Sequence, residues 1–361
     1  MRILYLIILY AFSRLIKSKS NKKNLIIGAF KKYNWEQLKP FFISLYKSNF
    51  RKCDCAMFVQ DISQRTKDIL ETIGVYIYEI PEKYRKMKIN NVRYKLYEEY
   101  LQNKIDSYNM VLHVDVRDTF FQKDIFRLYK NKRSFIGFSL ENGKINEKTN
   151  SIWMKAQYGE KIYEEIKGKK IICSGTIWGT IDKFYEFTKN IWNQILLKSP
   201  YNFRVHDQTA TNYLIYHKNM FNDCMVFSDN DNGPIMTVDL DKNKSFSFDS
   251  KDNLLSFKGK DNVCIVHQYD RIDKIVKIVR KKFITKTDEI LKLSNLTTLN
   301  QTDKIILEKF FFHKHYKISF IFIFNIVIFI FSIILKISKK EFFFILKKNN
   351  IKTKYSYNSC K

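Results

Sequence analysis

The chain has 361 residues, of which 45% are apolar and 16% aromatic, with only four prolines and ten glycines. That supplies apolar material for one large α/β domain or two smaller ones and excludes a mostly disordered chain. The formal charge is +28, and the ends are disproportionately basic: residues 1–23 carry six Lys or Arg and no acid, and residues 336–361 carry eight Lys and one Glu. Each basic end adjoins an apolar run, a pattern that fits lipid headgroups and counts against nucleic acid as a partner.

Taken from the start, residues 3–12 form an apolar run that Arg14 closes. It is shorter than the ~20 residues a spanning helix requires, and no small-residue cleavage site follows, so this short basic N-terminal segment (1–23) reads as an interfacial anchor or a buried helix. From residue 24 the pattern alternates. Short β-rich stretches at Leu25–Phe30, Ala56–Gln60, Val75–Ile80 and Met110–Val114 enclose helical stretches at Trp35–Lys47, Gln64–Ile73 and Val92–Lys104. This order predicts an α/β domain with an open, mostly parallel sheet and helices on both faces. Further strands are expected at Phe135–Leu140, Ile171–Trp178 and Val263–His267, a helix at Ile181–Leu197, and a turn at Asn232-Gly233-Pro234. The domain is expected to span residues 24–290, followed by a linker over 291–317. Residues 318–335 then give eighteen uncharged positions flanked by Lys314, Lys317, Lys336, Lys339 and Lys340. They read as a C-terminal membrane helix with snorkelling lysines, ahead of a basic tail over 336–361, and place the protein at a membrane with lipids as partners.

Cys53, Cys55, Cys173, Cys224, Cys264 and Cys360 do not form two CxxC pairs, so a structural zinc site is not expected and buried or free thiols are. Sequons at Asn243, Asn295 and Asn300 arise readily in an Asn-rich chain. The chemistry starts at the fourth expected strand, which runs directly into Asp115-Val116-Arg117-Asp118. Open parallel sheets bind ligands beyond the carboxyl ends of their strands, and two carboxylates there suit a hard divalent cation and a diphosphate.

Three other segments share that character. Residues 173–180, CSGTIWGT, are small enough at Ser174 and Gly175 for backbone to approach a ligand. Residues 207–212, DQTATN, set Asp207, Gln208 and Asn212 at a helix start, and His267 follows an apolar strand in HQYDR. Each has a plainer reading alone: a solvated acidic turn, a glycine turn, an N-cap at Asp207, a structural histidine.

Together and in this order, the segments resemble the GT-A-fold glycosyltransferases, which transfer sugars from nucleoside-diphosphate sugars. The resemblance is nearest to the retaining glycogenin-like and α-galactosyltransferase-like group and covers residues 24–275. It implies a metal site of Asp115, Asp118 and His267 holding Mn²⁺ or Mg²⁺. It also implies donor contacts from Gly28, Ala29, Arg93, Asp115, Arg117, Ser174, Gly175 and Asn212, with Asp207 and Gln208 beside the anomeric carbon as catalytic residues. The acceptor would be a glycan, lipid or protein. One departure stands out: such motifs usually read D-x-D, and here Arg117 occupies the second acidic position. Either Asp118 ligates through a shifted turn, or the site relies on Asp115 and His267. A catalytically dead membrane scaffold and a sugar nucleotidyltransferase are the competing functions. The latter usually opens with a Gly-rich basic loop after the first strand, and Gly28-Ala29-Phe30-Lys31-Lys32 matches that poorly.

Overall fold

Successive residues of the first strand face opposite sides, and this alternation decides the layering. Ile26 packs into one apolar core with Leu38, Phe41, Leu112 and Val114. Its neighbours Leu25 and Ile27 pack into a second with Val92, Tyr97, Val111, Phe184 and Phe187. A strand buried on both faces needs helices on both sides of its sheet.

The computed structural model describes residues 22–48, 50, 53–198, 206–238, 246–258 and 263–285. Its strands are β1 (Lys23–Lys31), β2 (Cys53–Gln60), β3 (Tyr76–Glu79), β4 (Tyr108–Val114), β5 (Thr119–Phe121), β6 (Ile136–Lys144), β7 (Lys170–Thr180), β8 (Met225–Ser228), β9 (Ile235–Thr237) and β10 (Ile265–His267). The helices are α1 (Trp35–Lys47), α2 (Gln64–Thr72), α3 (Ile89–Gln102), α4 (Phe126–Tyr129), α5 (Lys148–Tyr158), α6 (Glu160–Ile166), α7 (Ile181–Lys198), α8 (Asp207–Asn212) and α9 (Asp273–Val279). Seven strands form one sheet in the order β3-β2-β1-β4-β7-β6-β8, and β5-β10-β9 form a small second sheet. In the large sheet β7 alone runs against its neighbours, pairing antiparallel with both β4 and β6. The remaining pairings are parallel.

The expected α/β architecture is therefore present, and the expected elements are found within a few residues of their predicted ends. Three short strands, β5, β8 and β9, were not expected. Each has three or four residues, too few for a period of two to register. The chain winds outward through β1, β2 and β3, then crosses back so that β4 lies on the other side of β1. That reversal makes a switch point between the carboxyl ends of β1 and β4, where sheets of this kind receive ligands.

Helix α1 shows how local chemistry fixes an element. The Asn34 side chain accepts from the Gln37 amide at 3.1 Å while Gln37 Oε1 accepts from the Asn34 amide at 3.0 Å, a reciprocal cap. Leu38, Phe41, Phe42 and Leu45 then repeat at helical spacing and are buried. Residues 3–12 and 318–335 lie outside the described residues, so the structure neither supplies nor removes the expected membrane helix. Among the described residues no helix is long and apolar enough to cross a membrane.

The small sheet is tied to α1 through one buried hydroxyl. Ser44 Oγ accepts from the Phe121 amide of β5 at 2.9 Å and donates to the Phe41 carbonyl at 3.0 Å. Ser44→Ala leaves that amide unpaired in a dry setting, so it should lower unfolding free energy by about 1–3 kcal/mol. Chemical denaturation read by tryptophan fluorescence measures the change.

Candidate functional site

Strand β4 ends at Val114, and the next residue, Asp115, donates its amide to the Gly175 carbonyl of β7 at 2.8 Å. The acidic turn then enters β5 at Thr119, which lies opposite His267, the last residue of β10. The Tyr269 amide donates to the Asp118 carbonyl at 3.2 Å. The short strand missing from the sequence reading thus carries Asp118 to His267. His267 Nε2 lies 3.6 Å from Asp115 Oδ2 and 3.7 Å from Asp118 Oδ1. One ligand atom from each of the three residues falls within 4.8 Å of the others.

The donor set fits a divalent ion. His267 is buried, yet its Nε2 has no hydrogen-bond partner. Its Nδ1 faces Cys173 Sγ at 3.5 Å, which orients the ring and leaves the Nε2 lone pair toward the carboxylates. A Cβ at Gly175 would stand 2.7 Å from both Asp115 Oδ2 and His267 Nε2 and would strike the imidazole Cε1. Only glycine lets strand β7 pass under the cluster. Both carboxylates of the D-x-x-D turn reach it, so the turn shifts the second acid by one residue, and Arg117 lies between Asp118 and Asp270.

The charges are arranged unevenly. Burial pushes the Asp115 carboxyl upward, but Arg93 and then His267 outweigh it and hold its pKa well below the usual carboxylate range. Asp118 goes the other way, raised chiefly by burial, with Asp115 and Asp270 repelling its charge and His267 only partly offsetting them. Burial also opposes a charged His267, yet Cys173, Asp118 and Asp115 outweigh it and raise its pKa well above the ordinary value. A cation among these three groups would relieve the Asp118 repulsion and replace the imidazole proton.

Arg93 is neither exposed nor aimed at open solvent. Its guanidinium is 2% exposed and bridges Asp115 Oδ1 and Asp207 Oδ2, each at 2.5 Å, while also donating to the Ser174 carbonyl at 3.0 Å. Asp207 is the first residue of α8, where His206 and not Asp207 is the N-cap; its carboxylate faces Arg93 and the Tyr94 hydroxyl. Gln208 donates to Asn150 Oδ1 of α5 at 3.1 Å.

Several expected donor contacts have other occupations. Asn212 is buried and clamps the edge of β7: its Oδ1 accepts from the Ile172 amide at 2.9 Å, and its Nδ2 donates to the Ile172 and Gln208 carbonyls. Those bonds engage the whole amide, so Asn212 positions α8 and does not face a ligand. Gly28 is buried with room for no side chain, since a Cβ would lie 2.7 Å from Val116 Cγ2. It supports the acidic turn, and Ala29 beside it is half-buried against the core around α3. Ser174 contributes its carbonyl to Arg93 and to His113 Nε2, the latter at 3.2 Å. Arg117 is half-exposed and pairs with Asp270 Oδ2 at 2.9 Å.

Two acidic residues were overlooked. Glu141, on β6, carries a carboxyl pushed up by burial and coupled to Arg271 and His267. Asp270 is the partner that holds Arg117. The strand-end rule that found Asp115 applies to Glu141 as well, which follows the expected end of its strand at Leu140.

No protein-family model and no curated protein sequence matches the chain. Among solved structures, the galactosyltransferase LgtC in complex with donor and acceptor sugar analogs is 13% identical, with a TM-score of 0.48 over 77% of this chain and 98% of that one. An active-site mutant of LgtC is 11% identical, with a TM-score of 0.46 over 78% of this chain and 99% of that one.

Because the space at Gly175 is what lets the three ligands converge, Gly175→Ala should weaken Mn²⁺ binding about 10–100-fold. The fold should persist, since the collision is with the Asp115 and His267 side chains and not with backbone. Isothermal titration with Mn²⁺, alongside far-UV circular dichroism, reads both outcomes.

Proposed function

We propose that this chain is a metal-dependent glycosyltransferase that takes a sugar from a nucleoside-diphosphate sugar. The observation that carries the reading is the convergence of Asp115, Asp118 and the unpartnered His267 Nε2 at the sheet's switch point. Asp115, Asp118 and His267 would hold Mn²⁺ or Mg²⁺. When bound, such an ion supplies Lewis-acid neutralisation of a departing diphosphate.

The remaining residues prepare that site. Arg93 fixes the Asp115 and Asp207 carboxylates in a buried frame, so neither must reorganise when charge develops nearby. Arg117, half-exposed and joined to Asp270, stands beside the turn as a further cation for phosphate oxygens. Gln208, at the start of α8, offers a neutral amide beside the reacting sugar.

Stereochemistry follows from the same frame. Inversion requires a free carboxylate base close to the acceptor hydroxyl. Asp207 is buried with its carboxylate already paired to the Arg93 guanidinium, so it is not a free base, and an amide at Gln208 takes no proton. Retention is therefore proposed, with Gln208 steadying positive charge at the anomeric carbon. The acceptor is a glycan, lipid or protein, and the chain attaches to a membrane through residues 318–335.

Incubation with a panel of nucleotide-sugars should give Mn²⁺-dependent transfer or donor hydrolysis that chelation abolishes and that Asp118→Ala lowers at least about 100-fold. Proton NMR should show an α-linked product from an α-linked donor. A β-linked product would overturn retention, and metal-independent turnover would overturn the site. The membrane proposal has its own check: full-length protein should stay in the pellet after alkaline carbonate washing, and protein truncated near Asn300 should be released.

A further inference from the structure

Beside Asp207, a cavity of about 240 Å³ opens, its polar lining formed by Lys31, Lys88, Asn90, Asn91, His206 and Asp207. None of Asp115, Asp118 and His267 lines it. Arg93 links the two, because one of its terminal nitrogens meets Asp115 of the cluster and the other meets Asp207 of the cavity wall.

The cavity wall is cationic. Lys31 ends β1, and Lys88 immediately precedes α3. Among the described residues neither ammonium has a carboxylate partner, and the charge of Asp207 already faces Arg93. The wall is also built. The His206 ring stacks on Trp153 of α5 with centroids 3.9 Å apart and planes 14° from parallel, and its amide donates to Gln157 Oε1 at 3.1 Å. Burial and then Lys88 lower the pKa of this imidazole, with Asp207 only partly opposing them, so the wall beside Lys88 disfavours a further positive charge. Two unopposed lysines, the exposed Asn90 carboxamide and a braced ring match an oxyanion attached to a ring-shaped polar molecule.

We propose that this cavity receives an acidic group carried by a substrate sugar, the phosphate of a sugar phosphate or the carboxylate of a uronic acid, gripped by Lys31 and Lys88. The inference rests on the proposed donor site, since it assigns the diphosphate to the metal side and a second anion to the cavity side. It narrows the substrate class from any hexose to one bearing a negative charge.

The test uses full-length protein in EDTA, so that the metal side is silent, and measures binding of glucose 6-phosphate, glucuronate and glucose by saturation-transfer NMR. At least one acidic sugar should bind about tenfold or more tightly than glucose, and which one does so tells phosphate from carboxylate. In the Lys31→Gln, Lys88→Gln double variant that preference should fall below about threefold. Mn²⁺-dependent binding of UDP, measured separately, should be unchanged in this variant. Equal affinity for all three sugars overturns the proposal. So does a variant that keeps the preference for acidic sugars or loses UDP binding, the latter because the lysines would then belong to the diphosphate grip. Native protein without Mn²⁺-dependent UDP binding would instead sink the donor site, while the sugar comparison still decides the cavity.

Discussion

A guanidinium taken almost wholly out of water organises this molecule. Arg93 lies under the sheet's switch point with Asp115 on one nitrogen, Asp207 on another and the Ser174 carbonyl as a third acceptor. A buried charge without partners is expensive, and a buried pair that loses one member is strongly destabilised. The three residues therefore come as a set, drawn from α3, the end of β4 and the start of α8. Their mutual dependence sets the distance between the two carboxylates, and with it the layout of everything above them.

Two consequences follow. Asp115 has one oxygen committed to Arg93 and the other free to face Asp118 and His267, so it serves the buried frame and the cluster at once. Asp207 has its carboxylate drawn inward onto Arg93, while Gln208, next in α8, reaches Asn150 of α5. The second sheet completes the arrangement. Strand β5 is only three residues long, yet its antiparallel pairing with β10 brings His267, distant in sequence, beside the acidic turn. Gly175 leaves the space beneath, and Cys173 turns the ring.

Much of this was legible in the residues. The alternation of β-rich and helical stretches predicted the sheet and its helices because both periodicities run for several residues in each element. Asp115 stood out because it directly follows the fourth expected strand, at the carboxyl end where open parallel sheets receive ligands. The D-x-x-D spacing left two possible metal sites open, and the geometry brings all three candidate ligands together. What could not be read was direction. Nothing in the helix containing Arg93 shows that its side chain turns inward to bridge two acids rather than outward to a phosphate. Asn212 looked like a ligand contact because its segment did, but its amide matches a strand edge equally well, and that match depends on β7 lying alongside. Lys31 and Lys88 carried no signal in a chain with 64 Lys and Arg; only the cavity singles them out.

The central claim is that Asp115, Asp118 and His267 bind one divalent ion that also meets a nucleoside diphosphate. Pulsed electron paramagnetic resonance of the Mn²⁺-loaded protein with UDP observes that ion's neighbours directly. The account predicts coupling to one imidazole nitrogen, lost in His267→Ala, together with coupling to phosphorus from the diphosphate. A spectrum with phosphorus coupling and no imidazole nitrogen would place the ion elsewhere and contradict the site described above.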